Sequence, residues 1–419
     1  VEMETRVVIT GVGPVTSLGV GKQELMTNLF AGQTNICQLP EGYEQNYEFN
    51  SKHYVPAPEI ASLEFGGQWL SRVMGPAAQI SASGAKLALL DAGVTIKEAG
   101  KYYRIEGLED CGVILGIGFS NLEEAFTSYQ AHVSSEGENT GKYSRMIIPK
   151  MMPNSISSWL SIIYNLSEIN YTVNAACASG TYAVGEAYQK IKSGACKAVL
   201  SGGVEYLKDD SGAVMRGFDS LNTLTETETG VPMAFGAGRS GFLFNAGAGC
   251  ILVLEDLESA QKRGSNIHAE IVEYEANSDA HNIVQMEKSG TQIKKLLQEL
   301  VKDREIDYLN AHGTGTVLND QVEAKVISEV FGPPEEQPLI NSTKGIIGHS
   351  IGASGALEAA VTAVSLKEQK VHGNLVQEPL AGLNLAIDTE KADIEYALST
   401  SYGFGGHNAG LVLKRWEER

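Results

Sequence analysis

Along the chain, short continuous apolar runs alternate with longer segments of helical spacing. The first run, Val7-Val8-Ile9-Thr10, is β-branched and meets Gly11-Val12-Gly13-Pro14, which predicts a buried strand closed by a turn. Ala77 to Ala92 has helical spacing with small residues on one side. Gly112–Gly116 and Ala198–Gly203 read as further buried strands, Ile169–Val173 as another, and Gly180–Ile191 as the helix between the last two. Gly249–Glu255 predicts a strand, and Asp256–Arg263 a short charged helix or loop.

After Gly264 the pattern restarts. Strand Ala269–Val272, helix Thr291–Lys302, a strand near Ile306–Asn310 and helix Gln321–Val330 follow one another. Ile340, a small-residue helix over about Ile351–Lys367, and strands Ala397–Tyr402 and Ala409–Lys414 complete the chain. Helices alternating with uninterrupted apolar strands imply layered α/β architecture with a covered sheet. Two similar halves meeting near residue 260 are expected, and Ala178-Ser179-Gly180 and Ala353-Ser354-Gly355 look like matched points in them.

Composition narrows the function classes. The 419 residues carry 32 Lys and Arg against 51 Asp and Glu, a formal charge of −19, which argues against nucleic acid or an anionic membrane as partner. With 43% hydrophobic and 20% charged residues the chain is globular rather than disordered. The 46 glycines have no collagen-like period and fall inside apolar segments, where they point to tight turns and close packing. Five cysteines without a CxxC pair do not form a disulfide framework. No basic-then-apolar leader precedes Arg6, and no apolar run approaches the ~18–20 residues of a membrane span. A cytoplasmic location is expected.

Three residues carry candidate chemistry. Cys177, in Asn174-Ala175-Ala176-Cys177-Ala178-Ser179-Gly180, sits between a strand and a helix, where the helix dipole favours the thiolate. An inert buried cysteine is the competing reading. His312 lies in Asn310-Ala311-His312-Gly313-Thr314-Gly315-Thr316, just past a strand, among hydroxyls and flexible backbone. His349 closes Ser342-Thr343-Lys344-Gly345-Ile346-Ile347-Gly348-His349. Each histidine alone reads more readily as a hydrogen-bonded core residue.

Taken together with the terminal Ser401-Tyr402-Gly403-Phe404-Gly405-Gly406-His407-Asn408, these segments resemble the four signatures of the β-ketoacyl-[acyl-carrier-protein] synthases, in order and over essentially the whole chain. The resemblance implies the thiolase fold, a duplicated five-layered α/β/α/β/α sandwich. Its halves are placed at 1–258, carrying Cys177, and 259–419, carrying His312, Lys344 and His349. It implies that Cys177 accepts an acyl group from an acyl-carrier-protein phosphopantetheine thioester, with no cofactor bound covalently to this chain. Backbone N–H groups of Cys177 and Phe404 would form the oxyanion hole, and His312 and His349 would hold the enolate left when a malonyl group loses CO2. Lys344 matches the lysine that orders the histidines, and Glu323 its acidic partner. Thr314 and Thr316 match pantetheine-binding threonines, and Phe404 a mobile gate. Phe119 aligns with a side chain that projects across the dimer interface into the partner's acyl tunnel.

Departures from the family pattern tilt the reading toward specialised metabolism. Ala234-Phe235-Gly236-Ala237-Gly238-Arg239-Ser240-Gly241-Phe242 lacks a proline and an aspartate common in relatives, and Asn245-Ala246-Gly247-Ala248-Gly249 lacks an acid. Gly66–Met74, densely basic in many relatives where the carrier protein docks, retains only Arg72. The implied assembly is a homodimer, or a heterodimer with a homologous chain-length factor. The leading expectation is the ketosynthase of a dissociated polyketide or polyene system, with a fatty-acid elongation synthase as the alternative. A non-decarboxylating thiolase is disfavoured because its second, C-terminal cysteine is missing: the last here is Cys250. A zinc scaffold built on Cys177, His312 and His349 lacks any closely spaced ligand pair, so no metal is expected.

Overall fold

The computed structural model describes residues 5–45, 47–135 and 144–417. The principal strands are β1 (Val7–Thr16), β2 (Cys111–Gly116), β3 (Asn170–Val173), β4 (Ala198–Tyr206) and β5 (Gly247–Asp256), then β6 (Ala269–Ser278), β7 (Tyr308–Asn310), β8 (Leu339–Asn341), β9 (Tyr396–Gly403) and β10 (His407–Arg415). The helices that position the site are α1 (Pro76–Asp91), α2 (Ser155–Tyr164), α3 (Ser179–Lys192), α4 (Ala213–Ser220), α5 (Thr291–Val301), α6 (Val317–Phe331) and α7 (Ser354–Glu368).

The strand order is β8-β7-β9-β10-β6-β1-β5-β4-β2-β3, with the two-residue strand Gly19–Val20 paired to β1 off this path. Counted outward from the middle, each half runs first, fifth, fourth, second, third strand. Each also has two antiparallel steps followed by two parallel ones. The restart seen in the sequence is therefore a structural duplication. The halves are joined edge to edge where Val7, Val8 and Ile9 of β1 pair antiparallel with Ile271, Glu270 and Ala269 of β6.

Helices α1 and α2 cover the outer face of the first half-sheet, and α5 and α6 that of the second. Between the half-sheets lie α3 and α7, packed among apolar side chains of both, with Ser354–Leu366 of α7 buried throughout and Gln189 of α3 exposed. This is the duplicated five-layered α/β/α/β/α sandwich of the thiolase fold. Glycine permits the central layer to be this thin. A Cβ on Gly180 would stand 2.6 Å from the Ala356 nitrogen, and one on Gly355 would stand 2.1 Å from Thr181 Oγ1, so each helix needs a bare backbone where it meets the other.

One expected turn is absent. Gly11-Val12-Gly13-Pro14 continues β1 to Thr16, with a bulge between Ile9 and Gly11. Its glycines answer to packing: a Cβ on Gly11 would fall 2.1 Å from the Ala88 oxygen, and one on Gly13 2.0 Å from that of Gly84, both in α1. No helix among the described residues is long and apolar enough to cross a membrane.

Candidate active site

Cys177 lies in a 3-10 turn, Ala176–Ala178, that joins β3 to the first turn of α3. Ala176 adopts φ of 49°, a left-handed conformation that L residues avoid and that sharpens the turn. The strain is held by local bonds. The Ser179 hydroxyl accepts from the Ala175 N–H at 2.9 Å and donates to the Ala176 oxygen at 2.7 Å, while the Ala176 N–H donates to Asn174 Oδ1 at 3.2 Å. The same turn recurs at Ile351–Ala353 before α7, where Ile351 has φ of 47°. Gly352 occupies the position corresponding to Cys177.

The Cys177 thiol is buried, and burial pushes it up to about 11. The backbone N–H groups of Phe404 and of Cys177 itself, with the charge of Lys344, pull the other way and do not overcome it. The thiolate expected from the helix dipole is thus not the resting form. Both N–H groups act on the sulfur. Phe404 is brought there by the β9–β10 hairpin, whose tip turns on Gly405 and Gly406 at φ of 83° and 79°. A Cβ on the preceding Gly403 would stand 2.7 Å from the Ala175 oxygen, so the hairpin reaches the cysteine turn only with glycine there.

His312 follows β7 and is buried. Its N–H and that of Gly313 donate to the two Glu323 carboxylate oxygens, each at 2.8 Å, which fixes the loop on α6. The Lys344 ammonium reaches His312 Nδ1 at 3.1 Å. An ammonium can only donate, so Nδ1 accepts and the ring proton sits on Nε2. Burial, Lys344 and His349 hold His312 well below the usual histidine range, and burial followed by Lys344 does the same to His349. Both are neutral imidazoles. Their rings stand perpendicular with centroids 5.7 Å apart, and His349 Nδ1 lies 2.8 Å from the Ser354 hydroxyl.

Glu323 is not the ion-pair partner of Lys344, because the His312–Gly313 backbone occupies its carboxylate. The partner is Glu358 on α7, buried against the Lys344 ammonium. Burial raises Glu358 to about 7 against the opposing pull of Lys344, and Glu323 is likewise raised to about 7. The sequence offers a signal for Glu358 that was not used: it is the sole charged residue among Ser354–Leu366. Glu205 was missed in the same way, as the lone charge of β4. It is fully buried and accepts N–H bonds from Gly118 at 2.8 Å, Phe119 at 3.0 Å and Gly352 at 3.0 Å.

Cys177, His312 and His349 all face one cavity of about 360 Å³, together with Thr314, Thr316 and Phe404. The two threonine hydroxyls are 2.9 Å apart on the β7–α6 loop. Phe119 is not in the cavity wall. It stands behind Phe218, which is, and is 38% exposed on the single chain. Near the cation-poor segment Gly66–Met74, Arg72 is exposed and Lys101 lies 5.8 Å over the Trp69 ring, adding a second positive charge. Among the described residues no cluster of His, Cys, Asp and Glu has metal-binding geometry.

The chain matches the family described as "Beta-ketoacyl synthase, N-terminal domain" over residues 4–260 and "Beta-ketoacyl synthase, C-terminal domain" over 268–378. It is 32% identical to the 3-oxoacyl-[acyl-carrier-protein] synthase 1 of Haemophilus influenzae, over 98% of this chain and 99% of the relative. The 3-oxoacyl-[acyl-carrier-protein] synthase 2 of Staphylococcus aureus is also 32% identical, again covering 98% and 99%. Among solved structures, a beta-ketoacyl synthase from Burkholderia phymatum superposes with a TM-score of 0.85 at 30% identity, covering 99% of this chain and 100% of the other. The ishigamide ketosynthase/chain length factor gives 0.85 at 26% identity with the same coverage. With both halves matched and full-length relatives at this identity, the chain belongs to the beta-ketoacyl synthase family of acyltransferases.

Proposed function

We propose that this site joins an acyl group, held as a thioester on Cys177, to malonyl-acyl carrier protein by decarboxylative Claisen condensation, giving β-ketoacyl-acyl carrier protein and CO2. One observation carries the reading: a buried cysteine and two neutral histidines face the same largely apolar cavity. In the first half-reaction the Cys177 sulfur displaces the phosphopantetheine thiol from the acyl thioester, and the cysteine proton leaves with that thiol. The arm runs past Thr314 and Thr316, and Phe404 closes over the cysteine. In the second, the bond between the malonyl carboxylate and its α-carbon breaks and the electron pair passes into an enolate. Nε2–H of His312 and the His349 ring donate to the enolate oxygen. A neutral imidazole serves here as a hydrogen-bond donor and gives up no proton.

The α-carbon then attacks the acyl carbonyl on Cys177. The N–H groups of Cys177 and Phe404 hold the oxyanion until the thiolate departs and takes up a proton. Splitting the reaction at an acyl-enzyme divides one difficult C–C bond formation into two easier steps. Lys344, paired with Glu358, orients His312 from behind, and Glu323 fixes its backbone. The acyl carrier protein supplies the only prosthetic group required.

Within this chemistry we favour the ketosynthase subunit of a dissociated, type II polyketide or polyene system. The changed segments Ala234–Phe242 and Asn245–Gly249 support it, as does the likeness to a ketosynthase/chain length factor. The second reading is a homodimeric fatty-acid elongation synthase, supported by the full-length likeness to 3-oxoacyl-[acyl-carrier-protein] synthases. The test incubates the purified chain, alone and with a homologous chain lacking the nucleophile, with acyl- and malonyl-carrier protein. Products are read by mass spectrometry. Condensation only in the mixed assembly supports the polyketide reading; full activity of the chain alone supports elongation. An enzyme that is never acylated overturns both.

A further inference from the structure

Lys344 follows three residues that a segment distant in sequence holds one by one. The His372 backbone oxygen accepts from Asn341 Nδ2 at 2.9 Å, and Asn374 Oδ1 accepts from the Ser342 N–H at 2.9 Å. The His372 ring completes the set, with Nε2 3.1 Å from the Thr343 hydroxyl. The same three residues also bond the strand and loop that carry His312. The Tyr308 hydroxyl donates to Asn341 Oδ1 at 2.8 Å, the Ser342 hydroxyl to the Gly313 oxygen at 2.5 Å, and Asn310 Nδ2 to Thr343 Oγ1 at 3.0 Å. Residues 372–374 therefore brace the chain that bears Lys344 and, through it, the chain that bears His312.

His372 is fully buried and lies outside the wall of the cavity that Cys177 faces. Its Nδ1 is 2.9 Å from the Gly373 oxygen. A carbonyl oxygen only accepts, so Nδ1 carries the ring proton and Nε2 accepts from the Thr343 hydroxyl. Burial holds the ring down at about 4, which keeps it in the neutral form this pattern requires. Thr343 has a single hydroxyl proton and a second acceptor within reach, Asn310 Oδ1 at 3.2 Å. With the proton turned to the ring, Thr343 accepts from Asn310 Nδ2; with the proton turned to Asn310 Oδ1, that pattern is reversed. The His372 ring thus decides how Asn310 is held. Asn310 lies two residues before His312, and its Nδ2 also reaches the backbone oxygen of Glu358, the partner of Lys344, at 3.3 Å.

We propose that His372 is a positioning residue for the decarboxylation half-reaction, acting through the Thr343 hydroxyl and Asn310 on the Lys344–His312 pair. The inference rests on the reading of His312 as a donor to the enolate. His372 itself touches neither the substrate space nor the reacting groups. Lys344 Nζ must meet His312 Nδ1 for Nε2–H to face the enolate oxygen, so a small shift in either loop misdirects that donor. Such a shift weakens the step that depends on a preorganised donor. It leaves acylation alone, because the Cys177 turn joins β3 to α3 in the first half and takes no part in these bonds.

The test compares His372→Met with His372→Gln, two side chains of similar size of which only glutamine offers an oxygen acceptor. CO2 release from malonyl-carrier protein and acylation of Cys177 by acyl-carrier protein are followed separately, with chemical denaturation as the check on folding. His372→Met should lower kcat for CO2 release about tenfold, with KM for malonyl-carrier protein and the acylation rate within about twofold of wild type. His372→Gln should recover most of the loss. Should the methionine variant fold poorly, Thr343→Val, which removes the hydroxyl at nearly constant shape, should show the same split between the two half-reactions. Decarboxylation at the wild-type rate in His372→Met and Thr343→Val, a glutamine variant no better than methionine, or CO2 release and acylation falling together overturns the assignment. Wild type that is acylated yet releases no CO2 overturns instead the reading of His312 on which it rests.

Discussion

Lys344 and His312 meet at 3.1 Å from Nζ to Nδ1, with the ammonium held from its other side by buried Glu358. A fixed cation on Nδ1 leaves the imidazole one tautomer and one protonation state, so its Nε2–H always faces the cavity. Removing the ammonium leaves the buried Glu358 carboxyl without its partner. Lys344→Met should cost about 3–5 kcal/mol of stability, the usual range when one partner of a buried pair is lost. Lys344→Met/Glu358→Leu should regain much of this in chemical denaturation while decarboxylation stays impaired. A double variant as unstable as the single one would show that the pair is not the source of the loss.

Cys177→Ala should abolish the mass increment that follows incubation with acyl-carrier protein. It should still release CO2 from malonyl-carrier protein, because His312 and His349 remain. Acylation that persists in this variant would remove Cys177 from the mechanism.

His312→Ala or His349→Ala should retain measurable acylation of Cys177 yet lower condensation by about 10²–10³-fold, the cost of deleting one preorganised donor to a developing oxyanion. Either variant condensing near the wild-type rate would make that histidine structural.

With its thiol raised to about 11, Cys177 is held as the neutral thiol at neutral pH. Alkylation of the Cys177-containing peptide by iodoacetamide, followed separately from that of half-exposed Cys37, should therefore accelerate about tenfold per pH unit from pH 7 to 10 in wild type. A rate that is flat above neutrality would mean that the Phe404 and Cys177 N–H groups prevail over burial.

Glu205 makes a linkage prediction of definite sign. Burial raises its carboxyl from 4.5 to about 8, opposed by the backbone N–H groups of Phe119, Gly352 and Gly118. Between those values the folded protein keeps a proton that the unfolded chain has released. The stabilisation is therefore complete below about 4.5 and is lost as pH rises through about 8. Glu205→Gln lacks this dependence. The stability of wild type relative to Glu205→Gln should fall from pH 5 to pH 8, by an amount on the order of a few kcal/mol. A difference constant across that interval would place the Glu205 carboxyl in the ordinary range.

The reacting groups were legible because each lies in a segment with its own composition: Cys177 and His349 precede small-residue helices, and His312 precedes Gly-Thr-Gly-Thr. The strands were legible because both faces are covered, so apolar residues run without interruption. What escaped depends on distant contacts. Gly11 and Gly13 resemble turn residues unless the path of α1 across them is known. Glu205 and Glu358 interrupt apolar elements without naming their partners, and Phe218 is one aromatic among many until the fold sets it edge-on to Phe119 and Phe242. The thiolate expectation failed for a related reason, since the helix start was visible and the depth of burial was not.

The close approach of α3 and α7, at Gly180 against Ala356 and at Gly355 against Thr181, has a consequence for how this enzyme tolerates change. The nucleophile follows a strand of the first half-sheet and both histidines follow strands of the second, so the approach of the two central helices helps set the gap between them. At Gly180 that spacing leaves no room for a Cβ against the backbone of Ala356 and Gly352, and at Gly355 none against Thr181. Substitutions in the outer helices or the aromatic wall can therefore accumulate without altering the reach of the carbanion to the thioester. A single methyl group at either glycine acts as a shim driven between two jaws. Specificity is free to vary at the walls while the distance across which the new bond forms is kept to gauge.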